Sequence, residues 1–269
     1  LSKNGGFHTS LTEMLPFISP FDSIQDYENY LSRLSGFPRL IQDYIELMEV
    51  ALDTGFSAAR VTLDGVEEQL RKQIDVDIRQ NLLYNPFLHF PSARSDTEKE
   101  KLASEGMNAI ENAVIPAYRK LLRFFQDEYF PSARQDIAAA NLPKGQEFYR
   151  HRVHYFTSLD LTPEQVHATG QSEVKRIRAE MEQVLHTVDF KGEIKSFIEF
   201  LRTDSRFYAD TPAALLKETA YILKRIDGEL PNFFKILPRT PYGIREIPAA
   251  SAPDSTTAYY FPPPGDGRY

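Results

Sequence analysis

The sequence predicts an all-α protein, an irregular multi-helix array with one short β-strand near the C-terminus. Three observations predict it. Apolar residues recur every three or four positions through most of residues 22–226. Helix-start and helix-stop chemistry punctuates these stretches. Period-two alternation, the mark of a half-buried strand, is almost absent before residue 240.

Asp22 can cap a first helix through Ile24, Tyr27, Leu31 and Leu34, closed by Gly36. Pro38 suits the first turn of the next, which carries Leu40, Ile41, Tyr44, Ile45, Met48 and Leu52 and ends near Gly55. A third stretch runs from Leu63 to Tyr84, interrupted at Asp75 or Asp77 and stopped by Asn85-Pro86. From Asp96 to Tyr129 the helical period persists until Pro131, but Pro116 sits inside it and predicts a kink or a break. Gln146 to Phe156 follows as a further helix. Thr162-Pro163-Glu164-Gln165 joins an N-cap, a first-turn proline and a capping box, and opens a helix with Val166, Gly170, Val174, Ile177, Met181 and Leu185 on one face. Glu193–Leu201 and a second Thr-Pro start at Thr211-Pro212, with Gly228 as the stop, complete about eight to ten helices. Their lengths and turns differ from one to the next, so a solenoid repeat is not predicted.

The tail differs in character. Seven prolines fall between Pro238 and Pro264, and residues 256–261 (Thr, Thr, Ala, Tyr, Tyr, Phe) are β-formers bounded by turn residues. A lone strand is not stable by itself. The expected division is therefore a helical body, residues 1–235, and a Pro-rich tail, residues 236–269, leading into a strand whose partners lie elsewhere. The chain opens on leucine rather than methionine, which leads to the expectation of an upstream segment removed.

With 269 residues, a net charge of −7 and 42% hydrophobic residues, the composition is that of a globular protein. No apolar run approaches the roughly 20 residues of a transmembrane segment. Lys and Arg are scattered without a basic stripe, so no nucleic acid partner is expected. The absence of cysteine removes thiolate metal sites, thiol nucleophiles and disulfides together.

Few motifs carry chemistry. His151 and His154 lie three apart on a helix and could share a metal with Glu147, yet ordinary surface or cap histidines satisfy the same spacing. No HExxH or GxSxG string occurs. Paired carboxylates, Glu67-Glu68 and Asp75-x-Asp77, read first as solvated helix faces, and Asp64-Gly65 as a helix-entry turn. Gly265-Asp266-Gly267 reads as a hairpin turn. Tyr259 and Tyr260 stand apart, because adjacent strand residues point to opposite faces and one of them must look away from the packing side.

Two stretches together resemble the DUF885 family of bacterial proteins, many of them predicted exported lipoproteins. The first runs from Ser158-Leu159-Asp160-Leu161-Thr162-Pro163-Glu164-Gln165 through Gly170 to Glu180-Met181. The second is Pro241-Tyr242-Gly243-Ile244-Arg245-Glu246-Ile247-Pro248, then Ala258-Tyr259-Tyr260 and Pro264-Gly265-Asp266-Gly267-Arg268. Family members are roughly twice this length. In them the segment resembling 241–269 leads through a strand into a helix with an HExxPGH-type motif, similar to the metal site of zincin metallopeptidases. The resemblance implies a mostly helical fold with walls around a substrate channel, zinc as cofactor of the full-length protein, a peptide or other small substrate, and a periplasmic or outer-membrane-anchored location. None of the implied zinc ligands nor the glutamate base exists in these 269 residues, so the resemblance places no catalytic residue and no cofactor in this chain. It does place residues 256–261 near the strand to which an extended substrate adds, which makes Tyr259, Tyr260 and Arg268 the candidate substrate-binding residues.

The expectation is therefore an amino-terminal helical portion of a zinc-dependent metallopeptidase, inactive by itself, with its own missing C-terminal half as partner. The alternative is a stand-alone helical binding or scaffold protein without catalysis. A metal hydrolase using His151 and His154 is a third reading.

Overall fold

Two prolines shape the longest helical run. The computed structural model of the protein describes residues 1–90, 95–239, 241–247, 252 and 258–260. Within it, α5 (Asp96–Ala109), α6 (Ile115–Phe124) and α7 (Phe130–Ser132) are joined by two five-residue π-turns, Ile110–Val114 and Phe125–Tyr129. Each π-turn ends two residues before a proline, Pro116 or Pro131. A proline donates no N–H and its ring clashes with the carbonyl four residues back, and widening the turn by one residue moves that carbonyl aside. The helix therefore continues through Pro116 rather than breaking, with Ile115 and Phe130 donating to Ile110 and Phe125 across the wider turns.

The remaining α-helices are α1 (Phe7–Ile18), α2 (Ile24–Ser35), α3 (Phe37–Asp53), α4 (Val66–Ile74), α8 (Gly145–Thr157), α9 (Pro163–Thr187), α10 (Ile194–Thr203) and α11 (Pro212–Phe233). The fold is all-α. Four details differ from expectation. The cap of α2 is Ser23, in a reciprocal box with Asp26, because its hydroxyl rather than the Asp22 side chain receives the Asp26 amide. Helix α1 has no capping side chain at its start and was not expected. Residues 60–63, 78–80 and 82–87 form short 3₁₀ turns around α4, the last of which runs through Pro86. Gly228 does not stop α11, since its φ is not positive and the helix continues past Pro231 to Phe233. Among the described residues there is no sheet, only a single parallel bridge between Ala59 and Arg134. Residues 258–260 carry no strand, and the rest of the expected strand, 256, 257 and 261, lies outside the described residues.

The chain divides into two compact units. The first comprises Leu1–Phe148 and the described residues 252 and 258–260; the second is Tyr149–Ile247. The first has a continuous core. In it α6 packs on both α3 and α4, α2 packs on α5, and α1 packs on the 3₁₀ turn at 82–87. Tyr27, Tyr30, Leu34, Phe37, Ile41, Leu70, Tyr118 and Leu121 are fully buried there. The buried tyrosine hydroxyls keep partners: Tyr30 donates to the Leu83 carbonyl at 2.9 Å and Tyr118 to the His8 carbonyl at 3.0 Å. Gly106 allows α5 to approach Phe87 so closely that a Cβ there would lie 2.6 Å from the ring.

In the second unit α10 packs on α9, and Phe190, Phe197, Phe200 and Phe207 form a small aromatic cluster with centroid separations of 4.9 to 6.1 Å. Arg206 lies over Phe200 and is held by Asp204 at 2.8 Å, whose carboxyl is lowered to about 2 by hydrogen bonds from the Arg206 side chain and amide. Only Val153 and Leu185 are buried among the unit's described residues.

Candidate functional site

Helix α9 is set by its sequence at both ends. The Thr162 hydroxyl accepts from the Gln165 amide at 3.2 Å, and the Gln165 side chain accepts from the Thr162 amide at 2.8 Å, as the capping box predicts. The helix ends at Thr187, and Asp189 just beyond it takes a positive φ of 53°. Between these ends Val166, Gly170, Val174, Ile177, Met181 and Val184 fall at spacings of four, four, three, four and three, so they form one stripe about 30 Å long, while Leu185, expected at the end of this face, is buried. That stripe is open to solvent: Val174 is 65% and Ile177 45% exposed. Along one edge Arg176 bridges Glu173 at 2.7 Å and Glu180 at 2.6 Å, a charged rim beside the apolar strip.

A second stripe runs along α11. Leu215, Ile222, Ile226, Leu230 and Phe233 share a face, and Phe233 is 77% exposed. Ile222, Ile226, Leu230 and Phe233, with Arg225 and Glu229, line a shallow hollow of about 420 Å³. The segment after α11 is tied back to it. The Tyr242 hydroxyl lies 2.8 Å from an Asp227 carboxylate oxygen and 3.0 Å from the Leu223 carbonyl, and the acceptor Asp227 raises the phenol above its ordinary pKa.

The residues singled out from the sequence fall as follows. Tyr259 and Tyr260 are 53% and 76% exposed, so neither belongs to the core. Arg268 and the Gly265-Asp266-Gly267 turn lie outside the described residues. His151 and His154 are exposed. His154 sits 3.2 Å from Asp160 just beyond the end of its helix, and His151 stacks on Tyr155. Glu67 and Glu68 pair with Arg71 and Lys72 along α4, and Asp77 accepts from the Arg79 amide, so these carboxylates form helix-face pairs and a cap. Gly65, with φ of 90°, forms the left-handed entry turn of α4. Among the described residues no three His, Cys, Asp or Glu side chains gather as a metal would require.

One polar cluster has no local signal in the sequence. His8 is fully buried, and its Nε2 lies 2.8 Å from Gln69 Oε1. Gln69 Nε2 donates to the Lys3 carbonyl, which fixes the amide orientation and makes His8 Nε2 the donor. His8 Nδ1 then has no hydrogen-bond partner among the described residues. Burial holds the imidazole below its ordinary pKa, against the opposing effect of the Gln69 hydrogen bond. The cluster joins the chain start to α4 across 61 residues of sequence, beside a cavity of about 200 Å³ lined by Lys3, Glu13, Lys72, Gln73 and Asn81.

The model of a family described as bacterial protein of unknown function (DUF885) matches residues 1–269, the whole chain. The chain belongs to the DUF885 family. A crystal structure of a Colwellia psychrerythraea protein, described as a candidate lipoprotein, is similar with a TM-score of 0.88 at 21% identity. The similarity covers 99% of this chain and 47% of that one, so the chain spans about half the length of that protein. At that identity the likeness establishes the fold. No curated protein matches the sequence. No helix among the described residues is long and apolar enough to cross a membrane.

Proposed function

We propose that this chain is the helical portion of a longer DUF885 protein that acts as a zinc-dependent metallopeptidase or related hydrolase, and that residues 1–269 alone are inactive. The observation that supports the longer protein is the coverage, since 99% of this chain aligns with 47% of a solved neighbour, while the hydrolase part of the reading rests on the family resemblance. The HExxH-type motif that the family resemblance implies is not in these residues, so it belongs in the chain that follows. Zinc, when held by that motif, would supply a polarised water for hydrolysis. The part of residues 1–269 is to wall the substrate channel, with Tyr259, Tyr260 and Arg268 near an extended peptide or other small substrate. A lipid-anchored, periplasmic location accords with the description of the Colwellia psychrerythraea protein.

The test is to read the frame beyond Tyr269 and express the extended protein. An HExxH-type motif within a few tens of residues, stoichiometric zinc and peptide hydrolysis in the extended protein, all lacking in residues 1–269, are expected. A stop codon at that point, or an extended protein without zinc and without hydrolase activity, removes the reading. The open faces of α9 and α11 favour a second reading, a stand-alone helical binding protein, which the stop codon would support.

A further inference from the structure

The apolar stripes of α9 and α11 are longer and more continuous than the scattered apolar side chains of an ordinary surface. Contiguous exposed apolar strips rimmed by charge mark surfaces of interaction with another protein surface, a membrane or a ligand. The Glu173–Arg176–Glu180 bridges give the α9 stripe such a rim. Among its described residues the unit that bears both stripes buries only Val153 and Leu185, too little to offset ordering costs of about 1–2 kcal/mol for each residue. Something must therefore cover it. The Colwellia psychrerythraea protein shows how much chain is available: 100 − 47 leaves 53% of it without a counterpart here.

We propose that the α9 stripe, centred on Ile177, and the α11 stripe, centred on Ile226, are the seat of the polypeptide that continues beyond residue 269, which covers them with apolar side chains of its own. The proposal rests on the reading that the chain is one portion of a longer DUF885 protein. A tethered segment meets its seat at an effective concentration of the order of millimolar, which favours it over a second copy of this chain.

The chain has no cysteine, so single introduced thiols report accessibility without background. Ile177→Cys and Ile226→Cys are made in residues 1–269 and in the protein extended along its own frame, with Lys175→Cys, on the opposite side of α9, as the control. Thiol-labelling rates at 177 and 226 should fall at least 100-fold on extension, while the rate at 175 stays the same. Equal rates at 177 and 226 in both proteins would overturn the proposal. So would slow labelling of residues 1–269 that depends on concentration, because a second copy would then be the occupant. Should Ile177→Cys fail to fold in the extended protein, Val174→Cys on the same stripe gives the same reading. Labelling is independent of zinc and of peptide hydrolysis. A protected face in a protein without either leaves this proposal standing and removes the enzymatic one.

Discussion

Leu121 in α6 and Ile177 in α9 both sit in the apolar stripe of a well-capped or well-packed helix, yet Leu121 is fully buried and Ile177 stands 45% exposed. The same contrast separates the units that hold them. Residues 1–148 place α6 on α3 and α4 and close a core around Tyr30, Phe37 and Tyr118. Residues 149–247 form helices with capped starts at Thr162 and Thr211, and among their described residues bury only the apolar side chains of Val153 and Leu185. Capping and periodicity make a helix in both units, but only a facing surface makes a core. The first unit has its facing surfaces within the chain, and the second awaits one.

The contrast can be broken most sharply by truncating one side chain in each unit. Leu121→Ala should cost about 2–5 kcal/mol, because it leaves a cavity in a dense core, and Ile177→Ala should change stability by no more than about 0.5 kcal/mol. Urea unfolding followed by circular dichroism measures both; similar losses would erase the distinction. A smaller effect is expected at Gly106, where the methyl of Gly106→Ala meets the Phe87 ring and forces α5 away at a cost of about 1–3 kcal/mol.

The pH dependence sharpens the comparison further. Because His8 is held below its ordinary pKa in the folded state, the unfolded chain binds a proton there that the folded chain does not. Stability contributed by the neutral imidazole is thus present above about pH 6.5 and lost as pH falls below it, with a slope of at most about 1.4 kcal/mol per pH unit. Unfolding free energies at pH 7.5, 6.5 and 5.5 should show that decline, and His8→Gln should flatten it whatever its effect on stability at neutral pH. An unchanged slope in the variant would remove His8 as the cause.

Legibility in the sequence followed the range of the interaction. The Thr162–Gln165 box, the Pro163 and Pro212 starts and the Gly65 turn depend on residues within one turn, and they stand where the sequence places them. Pro116 announces an irregularity, a kink or a break, and the π-turn at Ile110–Val114 is the form it takes; which form relieves the clash is not specified by any local pattern. The His8–Gln69 pair, 61 residues apart, left no trace at all. For α9 the stripe itself was plain, but periodicity reports which side chains share a face and not whether anything covers it. For the same reason the family resemblance nominates Tyr259 and Tyr260 but does not place them against a substrate.

Native-state hydrogen exchange on the 269-residue chain tests the difference between the units most directly. Amides of α3 and α6 should exchange with protection close to that of global unfolding, and amides of α9 and α11 at least 100-fold faster, because unfolding those helices exposes little that is not already exposed. Equal protection across all four helices would contradict the account.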